Sequence, residues 1–229
     1  MSKFSMSLLP WSRALLCALA GLLWALAPAH AAKKEPDRSW IHPAIDRFVL
    51  PRIALLPAVP VEGGLDVCPF VEKRWLTATT GPRMRWMPAV QSRERLKQGG
   101  SDSLLKRQAL DVLRNGRVDS TTAPMVARTL GVRGLLSLRI DLWRHEDAKV
   151  QGRTRAVVGL TGALVDSSGT LLWSATARGE YETPESMSQL SVEFGQAPAD
   201  FDSALTAVVG RWGPVVSAIP ASAPATRGP

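Results

Sequence analysis

The sequence contains little cysteine and little histidine, and it lacks the short motifs typical of common enzymes. Only two of its 229 residues are cysteine and three are histidine. No Gly-x-Ser-x-Gly elbow, paired-histidine metal motif or Gly-Lys-Ser/Thr phosphate loop occurs in it. The sequence therefore predicts a protein that is not an enzyme and that has no cofactor and no metal. The 45% hydrophobic residues are enough for a buried core.

The first 31 residues are predicted to be a cleaved signal peptide. Lys3 and Arg13 give a positive start, residues 14–26 are apolar and uncharged, and Ala29-His30-Ala31 has the small-x-small form of a cleavage site. An uncleaved membrane anchor is the alternative, but the apolar stretch is shorter than the ~20 residues that a spanning helix needs. We therefore expect an exported protein, periplasmic or associated with the outer membrane.

The two cysteines are predicted to have no role in anchoring or catalysis. Cys17 follows Leu16, whereas a lipidation motif has a small residue at that position, so lipidation is disfavoured. Removal of the signal peptide leaves Cys68 as the only cysteine, which excludes an intramolecular disulfide. We interpret Cys68 as a small buried hydrophobe on a helix.

The excess of positive charge is confined to one block. Without residues 1–31 the chain has 26 basic and 20 acidic residues, and residues 72–117 alone have eleven basic against four acidic. An exported chain has no nucleic acid as its working partner, so an acidic protein face, an anionic envelope polymer or lipid head groups are the candidate partners. A solvated surface without a dedicated partner is the alternative.

The order of predicted elements is that of a mixed α/β protein. Residues 53–57 are a short apolar run typical of a buried strand. Residues 102–115 have helical periodicity, which predicts one buried face of Leu105, Ala109, Val112 and Leu113. Residues 134–143 and 153–166 are predicted to be strands, and the turn at residues 167–169 joins the second of them to a third strand at residues 170–181. Simple alternation along this third strand assigns Leu171, Trp173, Ala175 and Ala177 to one face. The strongest helical stripe in the chain lies at positions 201, 204, 205, 208, 209 and 212.

These elements predict one α/β domain at residues 52–214, with a small mixed sheet, helices packed on it, a β-hairpin and an amphipathic C-terminal helix. Residues 32–51 have little periodicity and are predicted to be an N-terminal arm, a tether or loosely packed segment. Residues 215–229 are rich in Ala, Pro and Ser and are predicted to be a disordered tail.

Five segments, taken in order, form a recognisable series. They are Ile53-Ala54-Leu55-Leu56-Pro57, Met87-Pro88-Ala89-Val90, Leu96-Lys97-Gln98-Gly99, residues 126–132 leading into the strand at 134, and residues 165–175. Together they resemble a bacterial envelope superfamily. It includes the periplasmic domain of the curli secretion lipoprotein, the lipoprotein activators of penicillin-binding proteins, the amino-terminal domain of the Tol propeller protein and a family of surface lipoprotein vaccine antigens.

The vaccine-antigen family is the most similar of these, and the resemblance covers about residues 50–182. It implies helices packed on a small mixed sheet and a role in docking to other envelope proteins rather than catalysis. The chain departs from the family because it lacks a convincing lipid-anchoring cysteine. The membrane-spanning hairpins that the curli exporter adds to this fold are also not evident in the sequence.

From these observations we expect a non-catalytic accessory or adaptor protein of envelope assembly or transport, with a homo-oligomer as a further alternative. The candidate partner-binding residues lie in the basic block: Arg83, Arg85, Trp86, Arg93 and Arg95. An exposed Trp86 would be a suitable anchor for a partner. Trp86 lies between Arg85 and Met87 on a short predicted strand, which leaves an exposed position open, but a core position is favoured because tryptophan is highly buried on average.

A small periplasmic hydrolase acting on cell-wall material is the alternative function. Asp141, His145, Glu146 and Asp147 lie close together in sequence and have the side chains of an acid–base or metal site. They also fall at a strand end that leads into a polar turn, where charged residues gather for solvation, and this second interpretation is favoured. A hydrolase would need His145 and two carboxylates to converge inside a closed cleft.

Overall fold

The centre of the fold is a seven-stranded mixed sheet. The computed structural model describes residues 38–79, 86–98, 102–147, 153–184 and 199–220. The strands are β1 (Arg38–Ile41), β2 (Ile53–Leu55), β3 (Val59–Pro60), β4 (Trp86–Met87), β5 (Gly134–Asp147), β6 (Arg153–Asp166) and β7 (Leu171–Pro184). Their order is β1-β7-β6-β5-β2-β4, with β3 also paired to β5. β2 is parallel to β4 and β5, and β3 is parallel to β5, while the long β5-β6-β7 meander and β1 are antiparallel.

Helices cover the two faces of the sheet unequally. The helices are α1 (Cys68–Thr79), α2 (Ala89–Gln98), α3 (Asp102–Asn115), α4 (Ala123–Leu130) and α5 (Ala199–Ser217). One face is covered by α1 and α5, and its core contains four tryptophans, at positions 75, 86, 173 and 212. The other face is covered by α2, α3 and α4, which pack over β2, β3 and β5.

The predicted fold class is confirmed, and the main elements lie where the sequence placed them. The turn at residues 167–169 joins β6 to β7, and Asp166 fastens it by accepting hydrogen bonds from the backbone N–H groups of Ser168 and Thr170. Gly131 ends α4 in the left-handed conformation, with φ of 67°. Among the described residues, no helix combines the length and the apolar composition needed to cross a membrane.

Both ends of the predicted domain differ from expectation. Residues 38–41 of the predicted arm form the edge strand β1, and Leu50 is buried, so loose packing is the wrong prediction for residues 38–50. At the other end, α5 continues through Pro214 to Ser217, and Val216 and Ile219 are buried. The predicted disordered tail is therefore wrong for residues 215–220, while residues 221–229 lie outside the described part. The predicted signal peptide, residues 1–31, also lies outside it.

Candidate functional site

The five residues predicted to bind a partner do not form one surface among the described residues. Arg83 and Arg85 lie outside the described part of the chain. Trp86 is only 8% exposed and packs edge-on against Trp75, with ring centroids 6.1 Å apart. Trp86 is therefore a core residue, as the favoured interpretation held, and it is not available as a surface anchor.

Arg93 is engaged with a buried carboxylate. Its guanidinium lies 3.5 Å from Glu72 of α1, whose carboxylate also accepts a hydrogen bond from the Ala58 N–H at 2.9 Å. Burial raises the pKa of Glu72, although the Ala58 N–H and the Arg93 charge both oppose the rise. One turn before Glu72, burial raises the pKa of the Cys68 thiol to about 11. Arg93 therefore serves the packing of α1 and is only partly available to a partner.

Arg95 is held by the end of a neighbouring helix. Its side chain donates a hydrogen bond to the Leu130 carbonyl oxygen at 3.2 Å, at the C-terminal end of α4. Carbonyl groups in the last turn of a helix lack partners within the helix, so a cation at this position is favourable. Arg95 is exposed and therefore combines a structural role with a place on the surface.

A docking strip that sequence reasoning missed lies on the outer face of α3. We give this name to Lys106, Arg107, Leu110, Leu113 and Arg114, all of which are exposed. The sequence interpretation had placed Leu113 on the buried face together with Val112. In the structure Val112 is fully buried, whereas Leu113 is 41% and Leu110 is 49% exposed. The i, i+3 and i+4 spacing of the strip is the signal that could have found it.

The docking strip belongs to a wider basic surface and lies next to a groove. On and just after α2 and α3, six basic side chains are exposed (Arg95, Lys97, Lys106, Arg107, Arg114 and Arg117) against two acidic ones, Glu94 and Asp102. Beyond the C-terminal end of α3, a groove of about 750 Å³ separates that helix from β1. Its floor is the part of β6 and β7 that lies beyond the helices, and Trp40 of β1 forms its far wall.

At the far end of the β5-β6-β7 meander the charges are balanced instead. Glu146 accepts hydrogen bonds from Arg144 at 3.1 Å, Arg155 at 2.8 Å and Arg178 at 3.2 Å. The pKa of Glu146 lies below its ordinary value, chiefly because of the hydrogen bond from Arg144 and then because of the charges of Arg178 and Arg155. Glu180 pairs with both Arg155 and Arg178. These arginines are neutralised within the protein, unlike Lys106 and Arg114 of the docking strip.

His145, the centre of the hydrolase alternative, meets one carboxylate. Its Nε2 lies 2.7 Å from Oδ2 of Asp200, which is almost fully buried at the start of α5, while the His145 side chain is 39% exposed. The other oxygen of Asp200 accepts the Phe201 N–H at 2.8 Å, and the Phe201 ring packs on His145. Within the described ranges no group of three His, Cys, Asp or Glu side chains could hold a metal ion.

The other carboxylates named with His145 serve other contacts or are not described. Asp141 pairs with Arg139 at 2.6 Å and accepts a hydrogen bond from the Thr161 hydroxyl. Glu146 belongs to the arginine network of the hairpin. The side chain of Asp147 lies outside the described part. The described residues therefore bring one carboxylate, and not two, to His145.

Comparison with known proteins gives similar solved structures only. No family model matches the chain, and no curated protein matches its sequence. A point variant of the PelC dodecamer from Paraburkholderia phytofirmans is 19% identical, with 82% of this chain and 100% of that chain covered and a TM-score of 0.44. Lipoprotein GNA1162 from Neisseria meningitidis is 16% identical, with 62% of this chain and 92% of that chain covered and a TM-score of 0.43. LpoB from E. coli is 15% identical, with 58% of this chain and 57% of that chain covered and a TM-score of 0.37.

Proposed function

We propose that this protein is a non-catalytic, exported accessory protein of the cell envelope that docks to another protein through the outer face of α3. The observation that carries the proposal is the docking strip itself. It places two exposed leucines between basic side chains, and it contains no acidic residue. The order of the residues along the helix, basic, apolar, then basic, gives one continuous surface about two turns long.

The apolar residues of the strip favour a protein partner. Leu110 and Leu113 are exposed at adjacent positions of one helix face, and a partner that buries both would remove apolar area from water. Binding energy in protein interfaces is concentrated in a few such central residues, surrounded by polar side chains that orient the partner. An anionic envelope polymer would use the charges and leave the leucines in water.

The charges of the strip favour an acidic face on that partner. Lys106 and Arg114 make no hydrogen bond or ion pair among the described residues, so both are available to carboxylates outside the chain. The three arginines around Glu146, by contrast, are already paired. Unpaired charges of one sign accelerate association with an oppositely charged surface and make it depend on ionic strength.

The envelope setting of the proposal rests on the first 31 residues, which have the sequence pattern of a signal peptide. Export removes cytoplasmic partners from consideration and leaves the acidic surfaces of envelope proteins. The five candidate residues are revised accordingly. Arg95 stays at the border of the docking surface, Arg93 is partly committed to Glu72, and Arg83 and Arg85 remain candidates from the sequence alone.

The hydrolase alternative is favoured by one contact, the His145–Asp200 pair. A buried carboxylate that orients an imidazole is one half of a general-base arrangement. Such a base needs a nucleophile or a second carboxylate within reach of a bound substrate. Phe201 contacts both members of the pair, with its ring on His145 and its N–H on Asp200, so the pair is better explained as a link between β5 and α5.

Site-specific photo-cross-linking in intact cells tests the proposal. A photoreactive phenylalanine analogue replaces Leu110 in the strip, and a matched variant carries it at Thr206, which is exposed on α5. We expect one discrete adduct with an envelope protein at position 110 and none at position 206. Equal adduct patterns at both positions, or no adduct at position 110, would contradict docking through α3.

A further inference from the structure

The groove between α3 and β1 has a lining of one charge sign. We infer that it binds an extended acidic peptide segment, with Arg38 and Arg117 facing its carboxylates and Trp40 contacting its apolar side chains. The inference rests on the proposed function in taking the partner to be a protein, but it concerns a second surface, separate from the docking strip.

Both arginines of the groove are available to a ligand. Arg38 on β1 and Arg117 after α3 line opposite walls, and none of the described carboxylates lines the groove with them. Neither guanidinium makes a hydrogen bond or ion pair with the described residues. The pKa of Asp119 is lowered chiefly by its hydrogen bonds with Thr121, and the charge of Arg117 contributes to this shift at longer range. Their neighbour Arg139 is already bound to Asp141 and to the Leu113 carbonyl oxygen.

The floor of the groove has small side chains, so a polypeptide backbone can approach the sheet there. It is formed by the small side chains of β6 and β7, among them Thr161, Ala163, Ser174 and Thr176. The Thr161 hydroxyl already donates to Asp141 and lies 3.2 Å from the Thr176 hydroxyl, which leaves the Ser174 hydroxyl to donate to or accept from a peptide backbone. Gly116 brings the end of α3 close to this floor, because a Cβ at that position would lie 2.8 Å from Cγ2 of Thr161.

The length of the groove suits a short extended segment. β1 is four residues long and runs along one wall, and at about 3.3 Å per residue it spans roughly 13 Å. A peptide of about four extended residues would therefore lie along it, with side chains directed alternately to the two walls. Such a segment can place carboxylates near both Arg38 and Arg117.

The remaining lining favours a peptide over a phosphate polymer or a membrane. Trp40 is 43% exposed, and Leu171 lies beside it in the groove. Both residues offer apolar area that a polyphosphate chain would not cover. A flat bilayer surface would rest on the end of α3 and on the Arg38 and Trp40 side chains and would not reach the floor between them.

The test measures binding of a fluorescein-labelled peptide by fluorescence anisotropy. The probe is a hexapeptide of two glutamates, two phenylalanines and two glutamates, so that adjacent glutamates face both walls, and the control probe has lysine in place of glutamate. The protein variants are Arg38→Glu and Arg117→Glu, with Arg38→Gln and Arg117→Gln as milder forms. Arg128→Glu is the matched control, because Arg128 is an exposed arginine of α4 that does not line the groove.

We expect Arg38→Glu and Arg117→Glu each to weaken binding of the acidic peptide about tenfold or more. Arg128→Glu should change the dissociation constant by less than about twofold, because distant exposed charges are screened by salt. Trp40→Ala should weaken binding without altering its dependence on salt. Unchanged melting temperatures in the Gln variants would show that their effects arise from binding.

Three results would overturn the inference. The first is equal binding of the acidic and basic peptides, and the second is equal losses in the groove variants and in Arg128→Glu. The third is that polyphosphate or phosphatidylglycerol vesicles lose affinity in the Arg38 and Arg117 variants while the peptide does not. None of these results alters the cross-linking expected at position 110, so failure of the groove inference is distinguishable from failure of the proposed function.

Discussion

Gly179 of β7 lies directly beneath Ala204 of α5, so closely that a Cβ on Gly179 would overlap the Ala204 carbonyl oxygen. The side chain of Val208, one turn further along α5, would also lie within 2.9 Å of that Cβ. The absence of a side chain at position 179 therefore sets how closely α5 approaches the sheet. Trp212 reaches the tryptophan cluster from the same helix, with its ring 5.5 Å from that of Trp173.

Gly179→Ala should be strongly destabilising. The added methyl group meets helix backbone, which cannot move aside as the end of a flexible side chain can. We expect a loss of about 2–3 kcal/mol or more in the free energy of unfolding, measured by urea denaturation. Gly210→Ala is the matched control, because a Cβ there meets nothing within 4 Å. In the middle of α5 it should stabilise by about 0.5–1 kcal/mol. Equal effects of the two substitutions would contradict this account of the α5 packing.

Glu72→Gln should change how stability depends on pH. Burial raises the pKa of Glu72 in the folded protein above its ordinary value of 4.5. Ionisation of this carboxylate therefore lowers the stability of the fold. The loss is absent at pH values below the pKa values of Glu72 in the unfolded and folded states, and it is complete above the pKa of the folded state. The stability of the Gln variant relative to the native protein should rise as the pH increases through this window. A relative fall, measured by denaturant unfolding at each pH, would show that the Arg93 and Ala58 contacts outweigh burial.

Glu72→Leu separates the charge of this carboxylate from its hydrogen bond. Gln can still accept the hydrogen bond from the buried Ala58 N–H, whereas Leu cannot. We expect the Leu variant to lose about 1–3 kcal/mol of stability, because a buried donor is left without a partner. A Leu variant as stable as the Gln variant would show that the Ala58 contact contributes little.

Cys68 should be unreactive in the folded protein. It is 2% exposed, and its pKa of about 11 leaves almost no thiolate at pH 8. In a form that begins at Ala32, where Cys68 is the only thiol, Ellman's reagent should give no colour at pH 8. The same form should react stoichiometrically in concentrated guanidinium chloride. Rapid reaction without denaturant would contradict the burial of α1 against the sheet.

His145→Ala should affect stability and not catalysis. The substitution removes the 2.7 Å contact with Asp200 and leaves that carboxylate with the Phe201 N–H. We expect a loss of about 1–2 kcal/mol in the free energy of unfolding. Cell-wall material incubated with either form should remain undigested. Digestion by the native protein that is lost in both His145→Ala and Asp200→Asn would establish the hydrolase alternative.

The sequence predicted those parts of the fold whose pattern is local. The β6–β7 hairpin has its turn at residues 167–169, and α5 has an apolar stripe along most of its length, so both were predicted from the sequence alone. Bulges were not predictable in this way. The register between β6 and β7 shifts at Val165, which places Leu171 on the face opposite Trp173, although the simple alternation assigned them to one face.

The parts that sequence reasoning missed depend on tertiary contacts. β1 has no apolar alternation because it is an exposed edge strand, and its pairing with β7 defines it. The sequence shows how many arginines the basic block has, but not which of them are bound within the protein and which face solvent. Only the structure shows that Arg93 serves Glu72 and that Arg95 serves the end of α4, whereas Lys106 and Arg114 face outward.

The most direct test of docking through α3 is the yield of the position-110 cross-link after charge reversal beside it. The test variant combines Lys106→Glu with Arg114→Glu. The control combines Lys73→Glu with Arg47→Glu, which changes the net charge equally at exposed positions outside the strip. The account predicts that the adduct at position 110 falls about tenfold or more in the test variant and stays at the native level in the control. An adduct that persists unchanged in the test variant would contradict it.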